Sequence, residues 1–593
     1  MDSFIPYILL CALIFSLMFG RRILGFLFSL EGTNKHHYYF NDFQRNTLFG
    51  LRVSDGWINI TNPFRSIFIA GGAGSGKSES LIKPIILESV RQDYCGILYD
   101  FKDPELSTYL YTALLKKENS SVTFKRISFS DIASSARCNP LAPRYLHTLS
   151  HAEEYATVII NNLVPESITK MDFWSRSAVA LLQSTIWYFK ENRPKECDLP
   201  HIVAFLQSSH HDVIKTLMQD DTCKRLISSI VTAYEQNAEG QLAGTISTLQ
   251  LALNKINTPE IAYILGRDEV NLDINNPNEP TFLAIGNDPN IQGSISPVIS
   301  LIITVSLRMM NKANKYPSVV ILDEAPTLYI PNFESIPATA RSNKISIVFC
   351  CQDLSQVVDR YGKGKKDILL SNLAYQFWGR VSHFETSQYM IQLAGKDDVM
   401  MESYSSSSSS SFNSSSSSSS VSQSKQLRDN LKIQHIQNFA PGNFLCVLVE
   451  REPRFFDKKF KRPDPVQLKN VFVTLFRPEI IEVGRQDPFT RQSTPDVKSY
   501  IKQVYNDAEN LVKLDRNQEA KMIQDVKQAE ELANKKQADH LHLDGTALPI
   551  SIVASGMVKG IVDNMSNEGK DFEQIEGYDK VAPPKKKEPK KGF

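Results

Sequence analysis

From Phe4 to Gly20 the chain reads FIPYILLCALIFSLMFG, an apolar stretch without a single charge. It is just long enough to cross a bilayer as one helix. Arg21 and Arg22 follow at once and no basic residue precedes the stretch, so the positive-inside rule predicts an N-terminus outside and all later residues in the cytoplasm. The basic n-region and small-residue cleavage site of a signal peptide are missing. The apolar ILGFLFSL after the arginines is too short to span again.

Beyond a polar segment (31 to 64) the pattern changes to short apolar runs alternating with helical periodicity. RSIFIA reads as a strand, a helix is predicted from about Ser78 to Arg91, and GILYDFKDPEL holds a second strand ending on Asp100. Strand, loop, helix, strand opens a parallel α/β sheet. From His151 to about Leu265 the periodicity is helical, as in FWSRSAVALLQSTIWYFKE, with hardly a strand signal. Strands return at 280–286, 318–324, 345–353, 374–381 and 443–450, with a helix predicted from Ser296 to Lys312.

The expected organisation is a membrane anchor (1–30), a first α/β segment (31–150), an inserted all-α domain (151–275), a second α/β segment (276–465) and a C-terminal extension (466–593). The serine run at 404–426 has too little apolar area to offset its ordering entropy, and is expected to be a disordered surface loop inside the α/β domain. In the extension, one charged helical stretch runs from Pro495 to about Lys536, and the end, PPKKKEPKKGF, is expected to be basic and disordered.

Composition narrows this little. Lys and Arg number 66 against 65 Asp and Glu, a formal net charge of +1 that argues neither for nor against nucleic acid. None of the 8 cysteines forms a C-x-x-C pair or stands near histidine at zinc-ligand spacing, which suits buried thiols in a reducing compartment.

The chemistry is carried by IFIAGGAGSGKSESLIKP, residues 67 to 84. Gly71, Gly76, Lys77 and Ser78 fit the Walker A pattern in the strand-to-helix context it requires. In such a loop Gly71, Gly72, Ala73, Gly74, Ser75 and Gly76 turn backbone N–H groups onto a phosphate, Lys77 bridges the β- and γ-phosphates, Ser78 ligates Mg²⁺, and Glu79 opens the helix beside the nucleotide. The partner motif is VVILDE, an apolar strand ending in Asp323 for Mg²⁺ and Glu324 to polarise the attacking water. ATP and Mg²⁺ are therefore the expected cofactors. Gln352, after the next strand, stands where a neutral side chain senses the γ-phosphate, with an ordinary turn residue as the alternative. Arg341 is either a finger completing a neighbouring subunit's site or an exposed structural arginine.

AGGAGSGKSES, YDFKDPEL, RCNPLAP, DFWSRSAVALLQ, GTISTLQLAL, VVILDEAPTL, RSNKISIVFCCQDLSQ and SNLAYQFWGR, in that order after one span, resemble the TraG/TraD family of type IV secretion coupling proteins over about residues 1 to 460. The resemblance implies a RecA-like P-loop ATPase domain with an inserted all-α domain, anchored by an N-terminal transmembrane helix in the bacterial inner membrane and assembled as a hexamer. It implies a relaxase-bound single DNA strand, or a protein, as cargo, the secretion channel components as partners, and Arg341 as the trans-acting finger. The chain departs from the family in having one convincing span where many members have two, and in Asp103-Pro104 where glycine is more usual. Two other functions fit the same motifs: a double-stranded DNA pump resembling FtsK or HerA, and a nucleotide-regulated secretion receptor without motor activity.

Overall fold

Thirteen strands, most of them runs of branched and aromatic residues, form in the computed structural model, which describes residues 49–411, 414–449, 455–463 and 499–512, with positions 524, 527 and 528. In chain order they are β1 (Phe49–Val53), β2 (Gly56–Ile60), β3 (Ile67–Ala70), β4 (Cys95–Asp100), β5 (Thr123–Ser128), β6 (Thr281–Gly286) and β7 (Ser318–Leu322), then β8 (Ile345–Cys351), β9 (Tyr375–Trp378), β10 (Lys396–Ser411), β11 (Ser414–Asp429), β12 (Asn443–Val447) and β13 (Phe455–Lys459). Nine make one sheet in the order β13-β12-β9-β3-β8-β7-β4-β6-β5. From β9 to β5 every neighbouring pair is parallel, and β12 and β13 close one side antiparallel.

Parallel strands covered on both faces read as continuous apolar runs, which is why β3, β7 and β8 were legible. Alternate residues serve different cores. Ile67 and Ile69 join one with the β1–β2 hairpin and the helices Lys83–Arg91 and Glu105–Lys116. Phe68 and Ala70 join the other, with the helices Gln292–Met310 and Leu149–Leu163. Gln292–Met310 is the one helix among the described residues long and apolar enough to cross a membrane, but it is mostly buried inside the fold. The predicted span at 4–20, with Arg21 and Arg22, lies outside the described residues.

Between β5 and β6 the chain forms only helices, from Leu149–Leu163 to Pro259–Leu265. A further helix, 499–512, lies against them: Val504 and Ala508 bury with Ala204, and Asn257 donates to the Tyr505 hydroxyl at 2.7 Å. Residues 466–498 of the C-terminal extension lie outside the described residues, and Lys513–Phe593 form a separate unit that lies almost wholly outside them.

Three elements differ from expectation. The polar segment ending at 64 contains the β1–β2 hairpin, whose alternating Phe49, Leu51, Val53, Ile58 and Ile60 are buried on either side of a Ser54-Asp55 turn. β5 escaped because TFKRIS carries two cations. Arg126 is 2 % exposed there, neutralised by an ion pair with buried Asp103 and a 2.8 Å hydrogen bond to the Ser134 hydroxyl. In place of the disordered loop at 404–426, β10 and β11 pair as a hairpin from Lys396↔Asp429 to Ser411↔Ser414, separate from the main sheet. Its regularity rests on backbone bonds, which need no apolar side chains.

Candidate nucleotide site

The loop after β3 is held to the strands on either side. Gly71 N–H donates to the Cys351 carbonyl at 3.2 Å and Gly72 N–H to the Arg380 carbonyl at 2.7 Å. Gly74 (φ +73°) and Gly76 (φ +94°) adopt left-handed conformations that side chains disfavour. At Gly76 a Cβ would also stand 2.7 Å from the Gly442 nitrogen. Lys77, 8 % exposed, folds back to donate to the Gly71 carbonyl. Ser78 begins a wide five-residue helical turn, Ser78–Ile82, that continues into Lys83–Arg91, so the predicted single helix has two parts. Glu79 there pairs with Lys83.

Three carboxylates face this loop from the ends of β4 and β7. The two strands are parallel neighbours whose last paired residues are Tyr99 and Leu322. Asp323 N–H donates to the Tyr99 carbonyl at 3.2 Å, so Asp100 and Asp323 are adjacent as the strands end. Asp323 is pushed up to about 6 by burial and then by Glu324. Glu324, 5 % exposed, is raised by burial against the opposing charge of Lys77, and its Oε1 accepts the Gln352 N–H at 3.2 Å. Asp100 is fully buried. Its Oδ2 accepts from Ser107 N–H at 2.8 Å and from the Ser107 hydroxyl at 2.9 Å, while Oδ1 has no hydrogen-bond partner.

Burial first and the charge of Asp103 second push Asp100 from its ordinary 3.8 up to about 7. The folded protein therefore holds a proton there that the unfolded chain releases near pH 4. Stability from this group is full below about pH 4 and is lost as pH rises through about 7. Across that window the nucleotide-free protein should lose stability relative to Asp100→Asn by on the order of 4 kcal/mol. Urea unfolding of both proteins at pH 4 and pH 8 checks this, and an unchanged difference would show that Asp100 is not held protonated.

Gly72 to Glu79, Asp100, Lys102, Glu105, Asp323, Glu324, Gln352, Pro441 and Arg462 line one cavity of about 360 Å³. That volume lies in the range of small-molecule sites. The family model for type IV secretory system conjugative DNA transfer matches residues 29–435, more than half of the chain. The chain belongs to this family. Among solved structures, the bacterial conjugative coupling protein TrwBdeltaN70 in its unbound monoclinic form is similar at 14 % identity, with a TM-score of 0.55 over 72 % of this chain and 91 % of that one. The plasmid coupling protein TrwB in complex with ADP and Mg²⁺ is similar at 13 % identity, with a TM-score of 0.51 over 69 % and 88 %. At these identities the likeness establishes the fold, a RecA-like α/β sheet with a helical domain. No curated protein matches the sequence.

Of the family motifs read in the sequence, the loop, Asp323, Glu324 and Gln352 converge on the cavity, and Gly71 lies beside it as the Lys77 acceptor. Arg341 does not reach it. This residue is exposed in the turn Arg341–Asn343 before β8, whereas Gln352 follows the other end of that strand. Six strand steps of about 3.3 Å separate the strand's two ends by roughly 20 Å. Asp100, Lys102, Glu105, Pro441 and Arg462 were not among the expected site residues. A carboxylate ending a buried strand was a usable signal for Asp100, but nothing in the sequence points to residues more than 350 positions beyond the loop.

Proposed function

We propose that this chain is a membrane-anchored, ATP-hydrolysing coupling protein. It recruits a relaxase-bound single DNA strand, or a protein, and delivers it to a type IV secretion channel. The observation that carries the reading is the convergence of a complete phosphate loop with Asp323 and buried Glu324 on one cavity, in a member of the conjugative DNA transfer family. Binding alone needs no acid held against a glutamine backbone. The complex of the similar TrwB with ADP and Mg²⁺ supports the choice of nucleotide and metal.

The loop amides and Lys77 would hold the phosphates, and Lys77 would leave the Gly71 carbonyl to do so. The Ser78 hydroxyl and Asp323 carboxylate line the same cavity, and no group of three or more His, Cys, Asp or Glu among the described residues forms a ready-made metal cage. This suits Mg²⁺, which is held by few protein oxygens together with phosphates and water. Mg²⁺, when bound, would offset phosphate charge. Glu324 would accept the proton of the attacking water, with its orientation fixed by the Gln352 N–H, and the Gln352 side chain would face the γ-phosphate. The distance of Arg341 from its own cavity supports action on a neighbour within a homo-hexamer. Phe4 to Gly20 would anchor the ring in the inner membrane, N-terminus outside.

Steady-state ATP hydrolysis with single-stranded DNA, duplex DNA or none tests the reading. Stimulation by single strands supports it. Preference for duplex would make the chain a double-strand pump, and indifference to DNA a receptor.

A further inference from the structure

Resting on the reading of the cavity as a nucleoside triphosphate site, we propose that Arg462 is a further nucleotide-binding residue, supplied by the segment just after β13 to the α-phosphate and nucleoside end of the ligand. The loop strand β3 has the carboxylate strands β7 and β4, beyond β8, on one side and β9, β12 and β13 on the other. A nucleotide lying across the loop with its γ-phosphate toward Asp323 and Glu324 extends its other end toward β12 and β13. Pro441 and Arg462 line the cavity on that side.

The segment is tied to the loop through the backbone. Gly442 N–H donates to the Ser75 carbonyl at 2.8 Å, and Phe460 N–H donates to the Gly442 carbonyl at 2.8 Å. Lys461 N–H bonds the Arg52 carbonyl at 2.9 Å, and Phe460 bridges Val53, so the same segment is clamped to the β1–β2 hairpin. Phe460 itself is buried against Phe377 and Phe444. Arg462 leaves this fixed frame exposed, and its side chain makes no hydrogen bond or ion pair among the described residues. Lys77 is committed to the loop and Lys102 follows β4, which leaves Arg462 as the cation lining the β12–β13 side. A guanidinium on a backbone-anchored segment matches an anionic, hydrogen-bond-accepting phosphate. Arg462 lies beyond the region matched by the family model, which ends at 435.

The test is calorimetric titration of the full-length chain in detergent with ADP and with a non-hydrolysable ATP analogue, both with Mg²⁺, for the wild type, Arg462→Ala, Arg462→Lys and Lys77→Ala. Arg462→Ala should weaken both ligands equally, by about tenfold, as expected for one charge-assisted contact. Arg462→Lys should fall between, and the melting temperature without nucleotide should not move because the side chain is exposed. Unchanged affinities overturn the proposal. So does a loss confined to the triphosphate analogue, which would put the guanidinium at the γ-phosphate. Failure of the wild type to bind either ligand, indistinguishable from Lys77→Ala, would overturn the nucleotide-site reading itself and this proposal with it.

Discussion

Arg341→Ala is expected to lower ATP turnover about a thousandfold or more while leaving the affinity of each subunit for nucleotide unchanged. The side chain is exposed and makes no hydrogen bond or ion pair among the described residues, so its loss should not disturb the fold. It also stands at the far end of β8 from its own cavity, so any action on a γ-phosphate must be on another subunit's. Mixing makes this decisive. Arg341→Ala and Glu324→Gln proteins, each inactive alone, should regain activity when co-assembled, because at equal proportions about a quarter of interfaces pair an intact Glu324 with an intact Arg341. A mixture as inactive as its parts would place Arg341 outside the reaction.

The second large effect belongs to Glu324. Glu324→Gln should reduce turnover by about 10²–10⁴-fold, the range for loss of a positioned general base, with ADP affinity near that of the wild type. The amide is nearly isosteric, and its Oε1 can still accept the Gln352 N–H that holds the carboxylate at 3.2 Å. Replacing a buried acid by a neutral group adds no charge to a site where Asp323 is already raised by burial. Any loss is therefore chemical rather than structural. Single-turnover hydrolysis alongside ADP titration separates the two. Substantial residual turnover would direct attention to Asp100, which stands beside Asp323 with one oxygen unpaired.

The sequence made the phosphate loop legible because its geometry is local: positive φ at Gly74 and Gly76 demands glycine, and the strand before it is buried on both faces. Asp323 and Glu324 were legible for the same reason, as acids ending an apolar run. What was hidden depends on partners distant in the chain. Arg126 reads as a surface cation until Asp103 is brought against it, and β5 is invisible without that pairing. The β1–β2 hairpin did carry its own signal, alternation on either side of Ser54-Asp55, within a segment that is otherwise polar. The position of Arg462 follows from β13 pairing with β12 and closing on Gly442, an event no local pattern encodes. The docking of helix 499–512 on the helical domain is likewise a tertiary fact, since its periodicity predicts a helix but not the surface that Val504 and Ala508 cover.

The most direct test of the account is steady-state ATP hydrolysis by the full-length protein, measured with and without single-stranded DNA beside Lys77→Ala and Glu324→Gln. The account predicts turnover that single strands stimulate severalfold or more, and that both substitutions abolish with and without DNA. Hydrolysis by an assembled protein that ignores single strands, or that survives both substitutions, would contradict it.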